Sequence, residues 1–291
     1  MDPRYLLVIA LFAAVFFGYR YGLKALRDRA TPQKIINEAR LNPTELNRYA
    51  RHIALREIGG PGQTKLHDAK VLVIGAGGLG SGALPYLAAA GVGLIGIVDD
   101  DLVENSNLQR QVIHDDAAIG TPKVKSALEA LRRQNPYVTV HPYQRRLDAA
   151  NAEGLIESYD LVLDGTDNFE TRYLVNRVAA KLGKPLIAAA LTQWEGQVSL
   201  YDPAQGTPCY QCVFPEAPAP ELVPTCSEAG VLSTLPGVIG AIMASEAVKH
   251  LTGAGETLRG RMLLWDALTA ESRTVNIKKR ADCPVCGAAQ G

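Results

Sequence analysis

A glycine-rich turn that follows a short apolar run constrains the fold of this chain more than any other feature. Residues 71–74 (VLVI) predict a buried strand, and residues 75–80 (GAGGLG) lead into small and apolar residues that predict a helix. In a strand–turn–helix unit, Gly75 permits the tight turn, Gly77 lets the backbone approach a phosphate, and Gly80 lets the helix pack against the strand. The free N–H groups at the start of such a helix favour an anion, so the sequence predicts a nucleotide site.

The next apolar run supplies the acidic partner that such a site needs. Residues 94–98 predict a second strand, and Asp99 follows directly at its end. A carboxylate in that position can accept hydrogen bonds from the hydroxyls of a ribose. The alternative is a glycine turn that only packs, with Asp99 as a surface carboxylate.

Strand and helix patterns alternate along most of the chain and predict an α/β fold. Apolar runs of strand length alternate with helical periodicity as far as residue 189. We therefore expect a Rossmann-like, mostly parallel sheet with helices on both faces. From Gln193 onward the strand patterns predict antiparallel additions to the same unit. The apolar segment 237–251 between them is short and contains Glu246, which favours a buried core helix over a membrane span.

Two cations lie where they can neutralise phosphate charge. Arg110 ends the polar string 106–110, and Lys123 lies in the first turn of a predicted helix. An Arg fork binds phosphate oxygens bidentately and a Lys supplies a point charge. A lysine in the first turn opposes the helix dipole, which favours a phosphate partner for Lys123. The alternative is that Arg110 is a surface side chain and Lys123 an ordinary first-turn residue.

Asp167 and Asn168 follow a predicted central strand, at the edge of the sheet where ligands bind in open α/β folds. An aspartate there can hold a Mg²⁺ ion that bridges phosphates. Aspartate and asparagine are also favoured N-cap residues, so a capping role remains open.

Two Cys-x-x-Cys pairs predict a metal site. Cys209 and Cys212 form one pair, and Cys283 and Cys286 form the other, near the end of the sequence. Four thiolates form a closed zinc site, so we expect a structural Cys₄ zinc clip between distant segments. A redox dithiol would explain one pair and not both. Cys226 has no such partner, and it is either a small buried residue or a thiol near the active site.

The N-terminus and the overall charge bear on location and partners. Residues 5–19 are fifteen residues without a charge, and positive residues follow them. This pattern predicts a hydrophobic N-terminal helix that anchors the chain in the inner membrane through residues 5–23, in a single pass, with the catalytic domain in the cytoplasm. A cleaved signal peptide and a helix buried against a partner are the alternatives. The zero net charge gives no reason to expect a nucleic-acid partner.

The chain resembles the ubiquitin-activating E1-like adenylyltransferases of the bacterial MoeB/ThiF/HesA type. The resemblance extends from about residue 46 to residue 287, and the predicted organisation is an anchor (1–23), a linker (24–41), an adenylation domain (42–287) and a tail (288–291). The motifs that carry the resemblance occur in order at residues 48–51 (RYAR), 75–80 (GAGGLG), 99–101 (DDD), 106–111 (SNLQRQ), 123 (K), 166–168 (TDN), 209–212 (CYQC), 225–231 (TCSEAGV) and 283–287 (CPVCG).

The resemblance implies ATP-dependent adenylation of the C-terminal glycine of a small ubiquitin-like sulfur-carrier protein that ends in Gly-Gly, with release of pyrophosphate. It implies ATP, Mg²⁺ and structural Zn²⁺ as cofactors. The residues that it places at ATP are Gly75, Gly77, Gly78, Gly80, Asp99, Asp101, Ser106, Asn107, Leu108, Gln109, Arg110, Lys123, Asp167 and Asn168. It assigns catalytic roles to Arg51, Arg110, Lys123 and Asp167, with Asp167 on Mg²⁺, and it makes Cys226 a further catalytic candidate.

The resemblance also bears on partners. It implies a homodimer, because the arginine that matches Arg51 reaches the ATP of the other subunit. It matches Cys226 to a cysteine that only some members use in thiol or persulfide chemistry. The sequence ends five residues after Cys286, without a rhodanese-like extension, so we expect a separate sulfur donor.

Several functions fit the motifs to different degrees. A molybdopterin-synthase adenylyltransferase acting on a MoaD-like carrier fits best, and adenylation of a ThiS-like carrier in thiamine synthesis is close behind. A tRNA threonylcarbamoyladenosine dehydratase-like enzyme is a third possibility. An NAD-dependent oxidoreductase explains the glycine turn but leaves Arg51, Arg110, Lys123 and the cysteines without a purpose. A membrane scaffold with ATP as a structural ligand is the non-enzymatic alternative.

Overall fold

The structure of the protein is a computed structural model that describes residues 16–22, 41–218 and 229–287. Cys226, most of the predicted anchor, nearly all of the predicted linker and the predicted tail lie outside these ranges. The sheet and its helices belong to the second of two compact units, Thr44–Gly291.

The predicted membrane-spanning helix at the N-terminus is wrong. Within the three described ranges, no helix is both long and apolar enough to cross a membrane. The described helical residues of that segment, 16–22, number seven, whereas a span needs about 20 residues. The predicted single-pass location in the inner membrane is wrong for the same reason.

Strands and helices alternate as predicted, and the strand predicted at 71–74 begins one residue earlier, at Lys70. The strands are β1 (Lys70–Ile74), β2 (Leu94–Val98), β3 (Thr139–Tyr143), β4 (Leu161–Asp164), β5 (Leu186–Thr192), β6 (Glu195–Tyr201), β7 (Arg261–Asp266) and β8 (Glu271–Asn276). Among the described residues from 41 onward, the α-helices are α1 (Pro43–Arg48), α2 (Ala50–Ile53), α3 (Gly59–Asp68), α4 (Gly78–Ala90), α5 (Lys123–Gln134), α6 (Ala152–Glu157), α7 (Phe169–Lys181), α8 (Tyr210–Val213) and α9 (Leu235–Thr252).

The eight strands form one sheet in the order β3-β2-β1-β4-β5-β6-β7-β8. The pairs from β3 to β5 are parallel and those from β5 to β8 are antiparallel. The predicted Rossmann-like sheet with antiparallel C-terminal strands is therefore confirmed. The strand order reverses direction between β1 and β4, and such a reversal opens a crevice at the carboxyl ends of the strands.

Alternate residues of the parallel strands face two separate apolar layers. Val71 and Val73 of β1 lie in a core with α4, α5 and α9, whereas Leu72 and Ile74 lie in a core with α6 and α7. Successive side chains of a strand point to opposite faces, so a fully apolar strand needs a helical cover on each face. The prediction of helices on both faces is confirmed.

The apolar segment after residue 234 is a buried core helix, as predicted. Ile239, Met243 and Ala247 of α9 are buried in the same core as α4. The two helices touch through glycine, because a Cβ on Gly240 would lie 2.6 Å from the carbonyl carbon of Gly82. This close approach packs α9 against α4, the helix that follows the glycine turn.

Candidate nucleotide site and cysteine cluster

The glycine turn lies at the reversal of strand order, and backbone contacts account for two of its glycines. Gly75 has a φ of +94°, a conformation that side chains disfavour. Its added Cβ would also lie 3.1 Å from the carbonyl oxygen of Gly165, which follows β4. A Cβ on Gly80 would lie 2.0 Å from the carbonyl oxygen of Gly75. Gly75 and Gly80 therefore serve the turn itself.

Gly77 has no comparable contact within the described chain. Among the described atoms, the nearest to an added Cβ would be Nε2 of Gln111, at 3.6 Å, which is an ordinary distance. Gly77 is the N-cap of α4, and no side chain of the described residues caps that helix. The first N–H groups of a helix carry positive partial charge, so the open backbone at Gly77 suits a phosphate oxygen.

Asp99 follows β2 and holds the glycine turn through hydrogen bonds. Its Oδ2 accepts a hydrogen bond from the backbone N–H of Ala76 at 2.7 Å, and its Oδ1 accepts one from the N–H of Asp101 at 2.8 Å. Burial raises the pKa of Asp99 above its usual value, and these hydrogen bonds act in the opposite direction. A carboxylate has about four acceptor positions, so Asp99 can still accept from ribose hydroxyls.

The polar string before Arg110 folds back on its own cation. A short 3₁₀ helix spans Asn105–Asn107. The half-buried Arg110 donates to the carbonyl oxygen of Ser106 at 3.2 Å and to Oδ1 of Asn107 at 3.0 Å. These two hydrogen bonds within the loop fix the position of the Arg110 guanidinium. Gln109 is exposed and Leu108 is half-buried.

Lys123 is buried and already has a counter-charge. Its Nζ lies 2.7 Å from Oδ2 of Asp101, and its side chain is 5% exposed whereas that of Asp101 is 65% exposed. The backbone N–H of Lys123 also donates to the carbonyl oxygen of Asp101 at 3.0 Å. The carboxylate of Asp101 thus provides the compensation for a first-turn lysine that the sequence analysis expected from phosphate.

The turn that carries Asp167 is held by a buried ion pair that the sequence analysis missed. Oδ1 of Asp164 accepts from the backbone N–H of Thr166 at 2.9 Å and from its hydroxyl at 2.6 Å. Arg172 donates to the carbonyl oxygen of Thr166, and its Nη1 lies 3.9 Å from Oδ2 of Asp164. Asp164 and Arg172 are 1% and 5% exposed. All three polar groups of Thr166 are therefore fixed just before Asp167.

Asp167 and Asn168 have different surroundings. Asn168 is the N-cap of α7, and its Oδ1 accepts from the N–H of Thr171 at 2.9 Å. This geometry matches the alternative in which Asn168 caps a helix. Asp167 is exposed, and none of the described residues forms a hydrogen bond or ion pair with its carboxylate. A free carboxylate at the carboxyl end of a central strand fits Mg²⁺, which takes one or two carboxylates together with phosphate oxygens.

Two further polar side chains reach the glycine turn although the sequence analysis placed neither among the site residues. His114 is buried, with Nε2 3.0 Å from the carbonyl oxygen of Ala76 and Nδ1 2.9 Å from Oγ of Ser126. Burial lowers the pKa of His114, and Lys123 lowers it further. Gln111 is 4% exposed, and its Oε1 has no hydrogen-bond partner. The sequence signal for Gln111 is its place at the end of the 106–111 motif that carries the family resemblance.

Arg51 lies on α2 with its side chain exposed. Over the part of the chain that the structure describes, its guanidinium has neither a hydrogen bond nor an ion pair. It is therefore available to another molecule.

The four paired cysteines come together as the sequence analysis predicted. All four Sγ atoms lie within 4.8 Å of one another. The Sγ–Sγ distances are 3.9 Å for Cys209–Cys212, 3.6 Å for Cys209–Cys283 and 3.3 Å for Cys212–Cys286. A tetrahedral zinc with Zn–S bonds of about 2.3 Å separates its sulfurs by about 3.8 Å, whereas a disulfide needs about 2.05 Å. The cluster fits a Cys₄ zinc ion and not a redox disulfide.

Backbone and amide groups support the cysteine cluster. Nδ2 of Asn176 donates to Sγ of Cys209 at 3.7 Å, and Oδ1 of Asn176 accepts from the N–H of Tyr210 at 2.9 Å. Gly287 closes the second pair, since a Cβ there would lie 2.5 Å from the carbonyl oxygen of Cys283. Asn176 and the buried Arg172 both lie on α7, which therefore joins the cluster to the Asp167 turn.

The environment of the thiols differs within the cluster. Burial raises the pKa of Cys209, and burial together with the neighbouring Cys212 thiol raises that of Cys286 to about 11. Burial also acts to raise the pKa of Cys283, but the backbone N–H groups of Val285 and Cys286 bring it down to about 7. A divalent cation that replaces the protons would relieve the cost of four crowded thiols.

The parallel sheet, the glycine turn at the strand reversal and the cysteine cluster define a Rossmann-like α/β protein with a nucleotide-type crevice. The profile of the ThiF family matches residues 49–285, and the chain belongs to the ThiF family. The SAMP-activating enzyme E1 of Haloferax volcanii is 49% identical over 247 residues, which cover 85% of this chain and 91% of that protein. The sulfur carrier protein adenylyltransferase of Thermus thermophilus is 48% identical over 247 residues, covering 84% and 91%.

Longer relatives and solved structures complete the comparison. The probable adenylyltransferase/sulfurtransferase MoeZ of Mycobacterium tuberculosis is 48% identical, and the match covers 84% of this chain but 63% of MoeZ. The crystal structure of E. coli MccB with ATP has a TM-score of 0.74 at 24% identity, over 83% of this chain and 74% of that chain. PaaA has a TM-score of 0.71 at 23% identity, over 82% and 76%. At these identities the two structures show the shared fold alone.

Proposed function

We propose that this chain uses ATP to adenylate the C-terminal glycine of a small ubiquitin-like sulfur-carrier protein. The observation that carries the proposal is an uncapped helix N-terminus at the strand reversal of a ThiF-family chain, to which Lys123 is joined through Asp101 and Asp99. The name of the Thermus thermophilus relative, a sulfur carrier protein adenylyltransferase, supports this class of substrate.

The reaction depends on neutralising the phosphate charge more than on acid–base catalysis. A carboxylate oxygen of the carrier attacks the α-phosphorus of ATP, and the bond from that phosphorus to the bridging oxygen breaks. Pyrophosphate leaves with the electron pair, and an acyl-adenylate remains on the carrier. The attacking carboxylate is already ionised at neutral pH, so no general base is required. Acceleration then comes from positioning and from neutralising the phosphate charge.

The residues of the crevice divide these tasks. Gly77 and the first turn of α4 offer backbone N–H groups to a phosphate, and Arg110 adds a locally held fork. Lys123 gives up part of its contact with Asp101 and binds a phosphate oxygen instead. This exchange is feasible because water can solvate the exposed carboxylate of Asp101. Asp99, which already accepts a hydrogen bond from the glycine turn, also accepts hydrogen bonds from the ribose hydroxyls.

Two metal ions and a second subunit complete the proposal. Asp167 would hold a Mg²⁺ ion, which would supply further positive charge at the phosphates. The four cysteines would hold a Zn²⁺ ion with a structural role, since a closed thiolate site leaves no position for water. Arg51, exposed and unpaired in the described chain, would reach the nucleotide of the partner protomer in a homodimer.

The identity of the carrier is a finer part of the proposal. We propose a MoaD-like carrier of molybdopterin synthase as the first candidate. A ThiS-like carrier is the nearest alternative, and activation of a carboxylate on tRNA is a more distant one. A separate protein would deliver the sulfur after activation.

The decisive experiment is isotope exchange between labelled pyrophosphate and ATP. With Mg²⁺ and a MoaD-like carrier, label should enter ATP, and a carrier without its terminal Gly-Gly should support no exchange. Parallel reactions with a ThiS-like carrier and with tRNA decide among the substrates. The absence of exchange with either carrier would contradict the proposal. Stimulation by tRNA alone would favour the dehydratase-like alternative.

A variant tests the metal carboxylate within the same assay. Asp167→Ala should abolish exchange while leaving the thermal midpoint nearly unchanged, because the side chain is exposed and without partners in the described chain. Full exchange activity in Asp167→Ala would mean that this residue does not hold the ion.

A further inference from the structure

One face of α7 contacts both the turn that carries Asp167 and the cysteine cluster. Arg172 donates a hydrogen bond to the carbonyl oxygen of Thr166, directly before Asp167. Asn176 lies four residues later in the same helix, so its side chain leaves the same face about 6 Å further along the axis. Its Nδ2 donates to Sγ of Cys209 at 3.7 Å. The turn and the cluster therefore share one helix as their support.

The contacts of Arg172 serve the turn more than its salt bridge. The residue is 5% exposed, and a buried guanidinium is costly unless its counter-charge is close. Its Nη1 nevertheless lies 3.9 Å from Oδ2 of Asp164, and no described group donates a hydrogen bond to that oxygen. An optimised pair would be bidentate, with N–O distances of about 2.8 Å. The guanidinium instead donates to the backbone of the turn, at Thr166.

The hydrogen bond from Arg172 restrains the peptide bond that leads into Asp167. Oδ1 of Asp164 already accepts from the N–H and the hydroxyl of Thr166. The carbonyl of Thr166 is the remaining polar group of that residue, and it belongs to the peptide bond with Asp167. Rotation of this peptide would redirect the exposed Asp167 carboxylate, and the hydrogen bond from Arg172 opposes that rotation.

The segment that carries Cys209 is attached to α7 at further points. The N–H of Tyr210 donates to Oδ1 of Asn176 at 2.9 Å, and the hydroxyl of Tyr173 donates to the carbonyl oxygen of Phe214 at 2.9 Å. The rings of Tyr173 and Tyr210 also pack edge to face, with their centroids 5.5 Å apart. A rearrangement of the cysteine cluster would therefore shift α7.

We propose that Arg172 is a positioning residue for the Asp167 carboxylate, and that Asn176 couples this position to the metal content of the cysteine cluster. The inference rests on the proposed function for the two ions, Mg²⁺ at Asp167 and Zn²⁺ at the cysteines. Arg172 acts through the turn and not by contact with the ion. Its consequence is that loss of zinc weakens the binding of ATP with Mg²⁺ although every residue of the crevice is unchanged.

The substitution Arg172→Lys tests the positioning role, because lysine keeps a cation near Asp164 but lacks the fork that reaches Thr166. Calorimetric titration of the full-length protein gives the dissociation constant of ATP with and without Mg²⁺. We expect the constant with Mg²⁺ to rise about tenfold, as when a group that orients a metal ligand is removed. The constant without Mg²⁺ should change less than twofold. In an Asp167→Ala background, Arg172→Lys should have no further effect, because the carboxylate that it positions is absent.

Two further measurements test the coupling to the cysteine cluster. Removal of zinc from the wild-type protein by a zinc-selective chelator should raise the constant with Mg²⁺ at least threefold, and added zinc should restore it. Asn176→Ala should raise the same constant in zinc-loaded protein. Lys181→Met is the matched control, since it removes an exposed ion pair of α7 with Glu153 and should change neither constant. Circular dichroism establishes that each protein is folded at the temperature of titration.

The outcomes are distinct. Equal rises of both constants in Arg172→Lys, or an additive loss in the double variant, would show a general structural role and overturn the inference. An unchanged constant after zinc removal would overturn the coupling. If these titrations give the expected results but carrier-dependent exchange is absent, the inference stands and the proposed function fails. If exchange occurs but Asp167→Ala binds ATP with Mg²⁺ normally, the inference fails and carrier adenylation stands.

Discussion

The two glycines at positions 77 and 80 should respond in opposite ways to alanine. A Cβ on Gly80 would lie 2.0 Å from the carbonyl oxygen of Gly75 and 3.0 Å from its carbonyl carbon. Both groups are backbone, so neither can rotate away. Overpacking of this kind costs about 3 kcal/mol. The better helix propensity of alanine offsets about 1 kcal/mol. We therefore expect Gly80→Ala to lose about 2 kcal/mol of stability, which is the difference between these two estimates.

Gly77→Ala should instead leave stability nearly intact and impair the ligand. The added Cβ would lie at an ordinary 3.6 Å from Nε2 of Gln111. The less favourable N-cap residue costs about 1 kcal/mol or less. The methyl group would, however, occupy the space through which a phosphate reaches the helix N-terminus. We expect ATP affinity to fall about tenfold, equivalent to about 1.4 kcal/mol.

The assay pairs a thermal melt with calorimetric titration of ATP on each variant. For a chain of this size, about 2 kcal/mol corresponds to a fall of about 4–8 °C in the midpoint for Gly80→Ala. Gly77→Ala should move the midpoint by less than about 4 °C, by the same scaling. Normal ATP binding by Gly77→Ala would refute the assignment of its open face to phosphate. Equal destabilisation by both substitutions would refute the distinction between the two glycines.

Three other perturbations test the parts of the structure around the crevice. Asn176→Ala removes the support of Cys209, so zinc affinity measured by release to a chelator should fall about 10- to 100-fold; unchanged retention would count against that support. Arg172→Met leaves the buried Asp164 uncompensated and should cost about 3–5 kcal/mol in urea unfolding, with partial recovery when Asp164→Asn is added; a cost below about 1 kcal/mol would contradict the ion pair. Burial lowers the pKa of His114 and of His250 below 6.5, so the unfolded chain binds more protons and stability should fall as the pH drops below 6.5. His114→Gln should flatten this dependence, and an unchanged slope between pH 6.5 and pH 5 would show that His114 does not cause it.

The order of elements and the family could be predicted because both depend on local patterns. The strand predicted at 71–74 occurs at 70–74, and the strand predicted at 94–98 has the predicted bounds. The set of motifs resembled the E1-like adenylyltransferases of the MoeB/ThiF/HesA type, and the match to the ThiF family confirms that resemblance. The N-terminal prediction was wrong because local apolarity was given more weight than the length that a membrane span requires.

The partners of the site residues could not be predicted from the same patterns. Lys123 pairs with Asp101 because an irregular segment returns to the start of α5, and no periodicity encodes that return. The ion pair of Asp164 and Arg172 joins the end of a strand to the first turn of the next helix in a buried setting. Asn168 could be a cap or a ligand by composition, and only its hydrogen bond to Thr171 distinguishes the cap.

The sequence by itself determined the alternation of strands and helices, the turn with its glycines and the gathering of four cysteines. Each of these depends on residue spacing along the chain, which the sequence states directly. The glycine motif also gave Gly75, Gly77 and Gly80 separate roles, but tertiary structure alone decided which backbone atoms crowd Gly75 and Gly80, and that Gln111 lies buried beside the open face of Gly77. Such facts depend on how closely β1, β4 and α4 approach one another, and that distance results from packing across the whole sheet.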